Sequence, residues 1–227
     1  MMQRTESIHQ KIARTKKIVK RAIARYGAGN IAIAWKGGKD TTTLMHIILT
    51  MYDGAIPFQV MFNDTTLEFK EVYRFISHLQ KLWGLDLKIV KHNEKELAEY
   101  HLTRDKKRKK ELSRIMKINS LNKALKIYRL KGYMLGIRRD EHPARANETY
   151  FSQRPDHIRI HPLLHFTEKD VWDYIRLFNV PYLSLYDKGY RSIGEKPFTK
   201  KSKEGERSGR DREKEESMEK LRQMGYW

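Results

Sequence analysis

A chain of 227 residues has room for one α/β domain with a real core and a small appended segment. Its 47 Lys and Arg against 28 Asp and Glu leave a formal charge of +19, which calls for anionic partners such as nucleotide, sulfate, phosphate or nucleic acid. No apolar run approaches the ~18 residues of a membrane span, and with no cysteine at all disulfides, thiolate-held clusters, Cys-rich zinc sites and thiol catalysis are out of reach.

Ile8, Ile12, Ile18, Val19, Ala22 and Ile23 recur at helical spacing between Ser7 and Tyr26, and Gly27 and Gly29 stop the run. This basic N-terminus lacks the apolar centre and small-residue cleavage site of a signal peptide, so a cytoplasmic protein is expected. Ile31 to Trp35 is a short apolar run of the kind a buried parallel strand shows. Thr41 to Met51 reads as a helix closed by Gly54, and Phe58 to Phe62 as a second strand. A helix from about Glu68 to Trp83 leads through Gly84 to a third strand, Leu87 to Val90. Helical patterns return at Glu94 to Tyr100 and Arg114 to Arg129, followed by a fourth strand at Gly132 to Gly136. His157 to Leu164 is extended, Thr167 opens a helix running to about Phe178, and a weakly amphipathic helix covers about Asp211 to Met224.

Strands alternating with helices predict a doubly wound, mostly parallel sheet flanked by helices, Rossmann-like in plan. Residues 1–188 would form the nucleotide-binding domain, and residues 189–227, rich in Gly, Lys, Ser and Glu, a charged C-terminal tail packing near the rim of the site. Ligands of such sheets bind at the carboxyl ends of the strands. That places Lys36–Thr42, Asn63–Thr66 and Gly136–Glu141 along one rim.

The first of these stretches, Lys36-Gly37-Gly38-Lys39-Asp40-Thr41-Thr42, carries the chemistry. Two glycines after a strand let backbone N–H groups approach an anion without Cβ interference, and the helix that follows adds unpaired donors and a positive dipole end. Lys36 and Lys39 add charge, and the hydroxyls of Thr41, Thr42 and Thr43 can donate to phosphate oxygens. Asp40 can cap the helix or help hold Mg²⁺. The spacing is not that of a Walker A loop, and the alternative is a Gly-rich turn closed by Thr and Asp caps. No His, Asp or Glu set has metal-ligand spacing, so no protein-held metal is expected.

Residues 101–131 hold twelve Lys and Arg against two acids. Such a run is a solvated helix or loop, or else a nucleic-acid surface.

The loop resembles the SGGKDS-type pyrophosphate loop of the PP-loop adenine nucleotide α-hydrolases. It is most similar to the branch that contains phosphoadenylyl-sulfate (PAPS) reductases, the sulfate adenylyltransferase small subunit and FAD synthetases. Asn63-Asp64-Thr65, Gly136-Ile137-Arg138-Arg139-Asp140-Glu141 with Arg145, Arg159 to Leu164 followed by Thr167 to Trp172, and Tyr186 to Gly194 match that branch in order. The resemblance implies an ATP or adenylyl-sulfate nucleotide, with Mg²⁺, cleaved between its α and β phosphates. It implies catalytic roles for Lys39, Asp40, Arg138, Arg139 and Arg145. Nucleotide or pyrophosphate contacts would come from Lys36, Gly37, Gly38, Thr41, Thr42, Asn63, Asp64, Thr65, Gly136, Asp140, Tyr190 and Arg191.

This chain departs from the pattern in three places. Lys36 stands where the loop usually has Ser, and Phe166 where the branch has Trp. Where the reductases read Gly-Cys-x-Pro, this chain has Gly194-Glu195-Lys196-Pro197, so thiol-dependent reduction is excluded. Glu206-Arg207-Ser208-Gly209-Arg210 and a Gly-Tyr-aromatic end resemble the sulfate adenylyltransferase small subunit. Adenylyl transfer to sulfate, with a GTPase partner subunit, is therefore the expectation. FMN adenylylation, a cysteine-free reductase homologue, and a tRNA-binding or tRNA-modifying protein acting through 101–131 are the alternatives, and self-association into a homo-oligomer is compatible with each.

Overall fold

The computed structural model describes residues 6–202, 204–216 and 218. Six strands form one sheet in the order β3-β2-β1-β4-β6-β5, with β1 Ile31–Ala34, β2 Gln59–Asp64, β3 Leu87–Lys91, β4 Gly132–Met134, β5 Phe151–Gln153 and β6 Ile158–Ile160. All neighbours are parallel except β5 and β6. The doubly wound, mostly parallel sheet read from the alternation is the observed one. β5 was not expected: its three residues, between polar loops, are too short to show a period, and only pairing with β6 makes them a strand.

Helices cover both faces. On one lie α1 (Ile8–Tyr26), α2 (Lys39–Leu49), α3 (Lys70–Leu82) and α6 (Glu168–Leu177), whose Val19, Ile48, Val72 and Val171 pack with Ile31, Ile33 and Val60 of the sheet. On the other, Ala124 and Leu125 of α5 (Lys106–Ile127) meet Ala32, Met61 and Tyr133. α4 (Glu94–Leu102) leans on α5 through Tyr100, Leu112 and Met116. Among the described residues no helix is long and apolar enough to cross a membrane.

Two helix boundaries differ from expectation in a useful way. α2 begins at Lys39 rather than Thr41, so the second lysine of the loop already belongs to the first turn. α5 begins at Lys106, taking Lys106 to Lys110 of the basic run into a helix whose N-cap is Asp105, with its carboxylate accepting from the Lys107 N–H at 2.9 Å. The first six residues of α5 include no apolar side chain, which hides the start of that helix from a periodicity reading. Of the weak C-terminal helix, α7 (Arg212–Glu216) is seen, and the rest of the expected span lies largely outside the described residues.

Burial holds the imidazoles of His46, His92, His142, His157 and His165 below their ordinary pKa, and takes His161 down to about 4. His161 is fully enclosed, with Nδ1 2.9 Å from the Thr149 carbonyl. The unfolded chain therefore binds these protons first, near pH 6.5, and stability present above that value is lost as pH falls toward 4. Thermal melts should drop by at least about 5 °C between pH 7.5 and pH 5, with a shallower fall in His161→Asn. A flat profile would contradict this.

Candidate functional site

The sheet order reverses between β1 and β4, which opens a crevice at their carboxyl ends. Trp35, fully buried just past β1, donates its indole N–H to the Thr42 hydroxyl at 2.9 Å, and that hydroxyl donates to the Gly38 carbonyl at 2.9 Å. The loop is thereby stapled to the first turn of α2. Thr42 is spent inside the protein holding the loop, and Thr43 is wholly buried with its hydroxyl unpartnered among the described residues, so neither hydroxyl faces a ligand as expected.

The glycines of the loop have separable roles. Gly37 sits at φ +76°, where only glycine is comfortable. Gly38 is extended, at φ −67° and ψ 143°, and a Cβ there would meet nothing nearer than the Tyr186 hydroxyl at 3.9 Å. Neither its backbone nor its packing demands glycine, yet it lines the main cavity. Opposite, Gly136 lets the exit of β4 touch α2: a Cβ would lie 2.6 Å from the Thr41 nitrogen. Gly38→Ala should leave the denaturation midpoint nearly unchanged while weakening pyrophosphate binding about tenfold or more. Gly136→Ala should lower stability itself, by about 1–3 kcal/mol. Equal pyrophosphate affinity in Gly38→Ala would remove that residue from the site.

Around this contact lies a charge cluster built on two buried cations, Lys39 and Arg138. Arg138, with no exposed surface, is bonded to Asp40, to Glu206 and, through Nε at 2.9 Å, to Asp140. Lys39, 1 % exposed, is bonded to Glu206 and lies 3.3 Å from Asp40 and 3.4 Å from the Arg191 carbonyl. The second oxygen of Asp140 accepts the Glu168 N–H at 2.9 Å, tying the cluster to the head of α6. Two cations thus face three carboxylates. Burial works against the charge on Arg138, but Glu206, Glu141 and Asp140 outweigh it and raise its pKa. Beside it Glu141 is gripped by Arg145 and Arg207, which overcome its burial and hold its carboxyl below the usual range.

Other residues expected at the site are placed as follows. Lys36 is ion-paired with buried Glu68, which also accepts the Thr65 hydroxyl at 2.6 Å. A serine would leave Glu68 without that cation, a physical reason for the lysine. Asp64 accepts from the Thr66 N–H at 2.8 Å and the Tyr73 hydroxyl at 2.7 Å, and Asn63 accepts from Ser120 at 2.8 Å, so this stretch shapes the rim. Tyr190 packs edge-on to Phe69, and Arg191 pairs with Glu168 at 2.5 Å. Arg139 points elsewhere: it donates to the Glu148 carbonyl at 3.1 Å and lies over the Tyr150 ring.

Two residues escaped the sequence reading. The Tyr186 hydroxyl accepts the Lys39 backbone N–H at 2.9 Å, and burial pushes its pKa up. Glu206 joins Lys39 to Arg138 from 167 positions further along the chain. Both lay in segments singled out for their pattern, but nothing local assigns their partners. At the position of the reductases' cysteine, Glu195 is buried and accepts from Ser113 at 2.7 Å and Lys117 at 2.6 Å.

The cavity in front of the loop has a volume of about 580 Å³, with Gly38, Lys39 and Asp40 on one side and α5 on the other. Among the described residues no three carboxylates or histidines gather to hold a metal ion, and Asp40 is occupied by Arg138 and Lys39. As arranged, these residues do not build a Mg²⁺ site.

The model of the phosphoadenosine phosphosulfate reductase domain matches residues 30–201. An adenosine 5'-phosphosulfate reductase of Halalkalibacterium halodurans is 34% identical, over 85% of this chain and 84% of that protein. A sulfate adenylyltransferase subunit 2 of Marinobacter nauticus is 29% identical, over 86% of this chain and 68% of that protein. Among solved structures, a PAPS reductase from Candida auris in complex with phosphate superposes with a TM-score of 0.68 at 20% identity, covering 87% of this chain and 98% of that one. FMN adenylyltransferase of Candida glabrata, with FAD and inorganic pyrophosphate, gives 0.66 at 21% identity, covering 88% and 69%. These two likenesses concern the fold. The chain belongs to the phosphoadenosine phosphosulfate reductase domain family, and does so without a cysteine in its sequence.

Proposed function

We propose that this protein binds ATP or a related adenylyl nucleotide and transfers its adenylyl group with release of pyrophosphate, in the manner of a sulfate adenylyltransferase small subunit. The observation that carries this reading is the open backbone of Gly38 beside Lys39 and Arg138, at the switch point of the sheet. An oxygen of the acceptor would bond to the α-phosphorus as the bond to the α–β bridging oxygen breaks, the electron pair leaving with pyrophosphate. Such a reaction needs positioning and charge neutralisation more than covalent help. Lys39 and the loop would hold the pyrophosphate, and Arg138 would neutralise charge at the breaking bond. Mg²⁺ would arrive on the nucleotide's phosphates rather than in a protein cage. Relatives carrying the name subunit 2 support a partner subunit, expected to be a GTPase.

The second reading, adenylylation of FMN, is favoured by one observation: the cavity that would hold the nucleotide runs on from the loop to the basic face of α5, which leaves its far side for an organic anionic acceptor. A cysteine-free reductase homologue that keeps the nucleotide but not the reduction is the third.

Pyrophosphate release from ATP, with sulfate, FMN or tRNA offered separately, decides between them. One acceptor should give turnover, and Lys39→Ala should abolish it. ATP binding without release under any acceptor would leave a nucleotide-binding protein, and full activity in Lys39→Ala would take the loop out of the mechanism.

A further inference from the structure

The 19 residues of α1 hold seven Lys and Arg and no Asp or Glu. Two of the seven are neutralised: Lys11 pairs with Asp170, and Arg14 with Glu6 at 2.9 Å. Among the described residues Lys16, Lys17, Lys20, Arg21 and Arg25 have no carboxylate partner. Thr15, Ile18, Val19 and Ala22 face the protein, so these cations stand on the solvent side of the helix. Lys16, Lys17, Lys20 and Arg21, with Ala13 and Ala24, line a shallow groove along it. The surface is preformed. A capping box of Ser7 and Gln10 closes the start of α1, and the Thr15 hydroxyl donates to the Pro162 carbonyl at 3.0 Å. Arg21 lies 5.4 Å over the Phe151 ring of β5, and Arg25 5.3 Å over Tyr26. Such stacking holds a guanidinium flat and leaves its N–H edge for an acceptor.

Lys16 and Lys20, Lys17 and Arg21, and Arg21 and Arg25 are like-charged neighbours four positions apart, and Lys17 and Lys20 three apart, which works against the helix. A row of phosphates laid along α1 would relieve all of them at once. We infer that the outer face of α1 docks the phosphate backbone of a double-stranded nucleic acid, without reading its sequence. From Lys16 to Arg25 the row spans roughly 14 Å. A duplex carries one charge per about 1.7 Å of its axis, so that span meets about eight phosphates, roughly half of them on the near side. The five free cations match that number. A single strand fits less well, because its binding leans on aromatic platforms, and the rings of Phe151 and Tyr26 are covered by guanidinium groups. A protein partner fits less well too. The exposed residues of α1 include no large apolar side chain to anchor one, and lysine is depleted at such interfaces. The basic run of α5, read from the sequence as a possible nucleic-acid surface, turns Lys107 and Lys110 toward the cavity. α1 lies across the sheet from α5, so its surface is separate from the adenylyl-transfer site.

Fluorescence anisotropy of labelled duplexes of about 20 base pairs, one RNA and one DNA, tests this on the full chain. At least one should bind in about 50 mM salt and lose roughly a hundredfold in affinity by about 200 mM, as release of about four counterions requires. The duplex that binds tighter tells RNA from DNA, and scrambling its sequence should leave the affinity as it was. Lys17→Gln/Lys20→Gln/Arg21→Gln should weaken binding at least tenfold and make the salt slope shallower by about two to three. Pyrophosphate release from ATP should stay at the parent's level in that variant. Lys17→Arg/Lys20→Arg, which keeps the charge, should bind as the parent does. No duplex binding in about 50 mM salt overturns the inference. So does an affinity that survives the triple substitution but falls in Lys106→Gln/Lys109→Gln on α5. Tighter binding to polyuridylate, poly-L-glutamate or phosphatidylserine vesicles than to either duplex also overturns it, in favour of a single strand, an acidic protein or a membrane surface.

Discussion

Arg138→Lys is expected to cut pyrophosphate release about a hundredfold or more while leaving a folded protein. Arg138 is the hub of the site: one guanidinium with no exposed surface reaches Asp40 in the loop, Asp140 in the turn after β4 and Glu206 in the tail. Only a planar fork with five donors can serve three carboxylates on three segments at once. Lysine keeps the charge but reaches fewer of them, so the loop, the turn and the tail lose their common anchor. Removing a single charge-stabilising donor from an active site costs about 10²–10³ in rate. Arg138→Ala is a different experiment. It leaves Asp40, Asp140 and Glu206 without their shared cation and should read out first as a lowered denaturation midpoint. Steady-state pyrophosphate release together with urea unfolding separates the two. An Arg138→Lys protein with the parent's turnover would show that the hub is architectural only.

The plan of the sheet was legible because each early strand is an apolar run set off by glycine: Ile31 to Trp35, then Gly37; Leu87 to Val90, after Gly84. The loop was legible for a related reason, since two glycines between a buried strand and an apolar helix leave few other uses. Lys36 was not, because its reason is Glu68, 32 positions away and buried by the tertiary fold. The basic run at Lys106 to Lys110 was read as surface charge or nucleic-acid surface, and only the placement of α5 over the site shows that Lys107 and Lys110 turn toward a cavity. Local pattern reports which residues could bind an anion. It does not report which carboxylates will reach them first, and Thr42 and Asp64, both matched to the family's motifs, are engaged within the protein for that reason.

Glu206→Gln is expected to tighten the binding of ATP and of pyrophosphate by about tenfold or more. In the chain as it stands, Lys39 and Arg138 share the Glu206 carboxylate, which occupies the position a bound phosphate oxygen would take. With Asp40 and Asp140 counted, three carboxylates face these two cations, so both are fully engaged before a polyphosphate arrives. Two like charges 4 Å apart near a protein surface interact by about 4 kcal/mol, and each 1.4 kcal/mol is a factor of ten in affinity. A nucleotide must therefore displace Glu206, and the affinity it shows is what remains after that exchange. Glutamine is nearly the same shape and can still accept a bond from Lys39 or Arg138, so the fold should survive with a modest loss of stability. The exchange would then cost less, because no anion has to be expelled. Calorimetric titration of pyrophosphate into both proteins measures the difference directly. Weaker binding in Glu206→Gln would mean that Glu206 supports the bound nucleotide instead of competing with it, and would invert its role at the site.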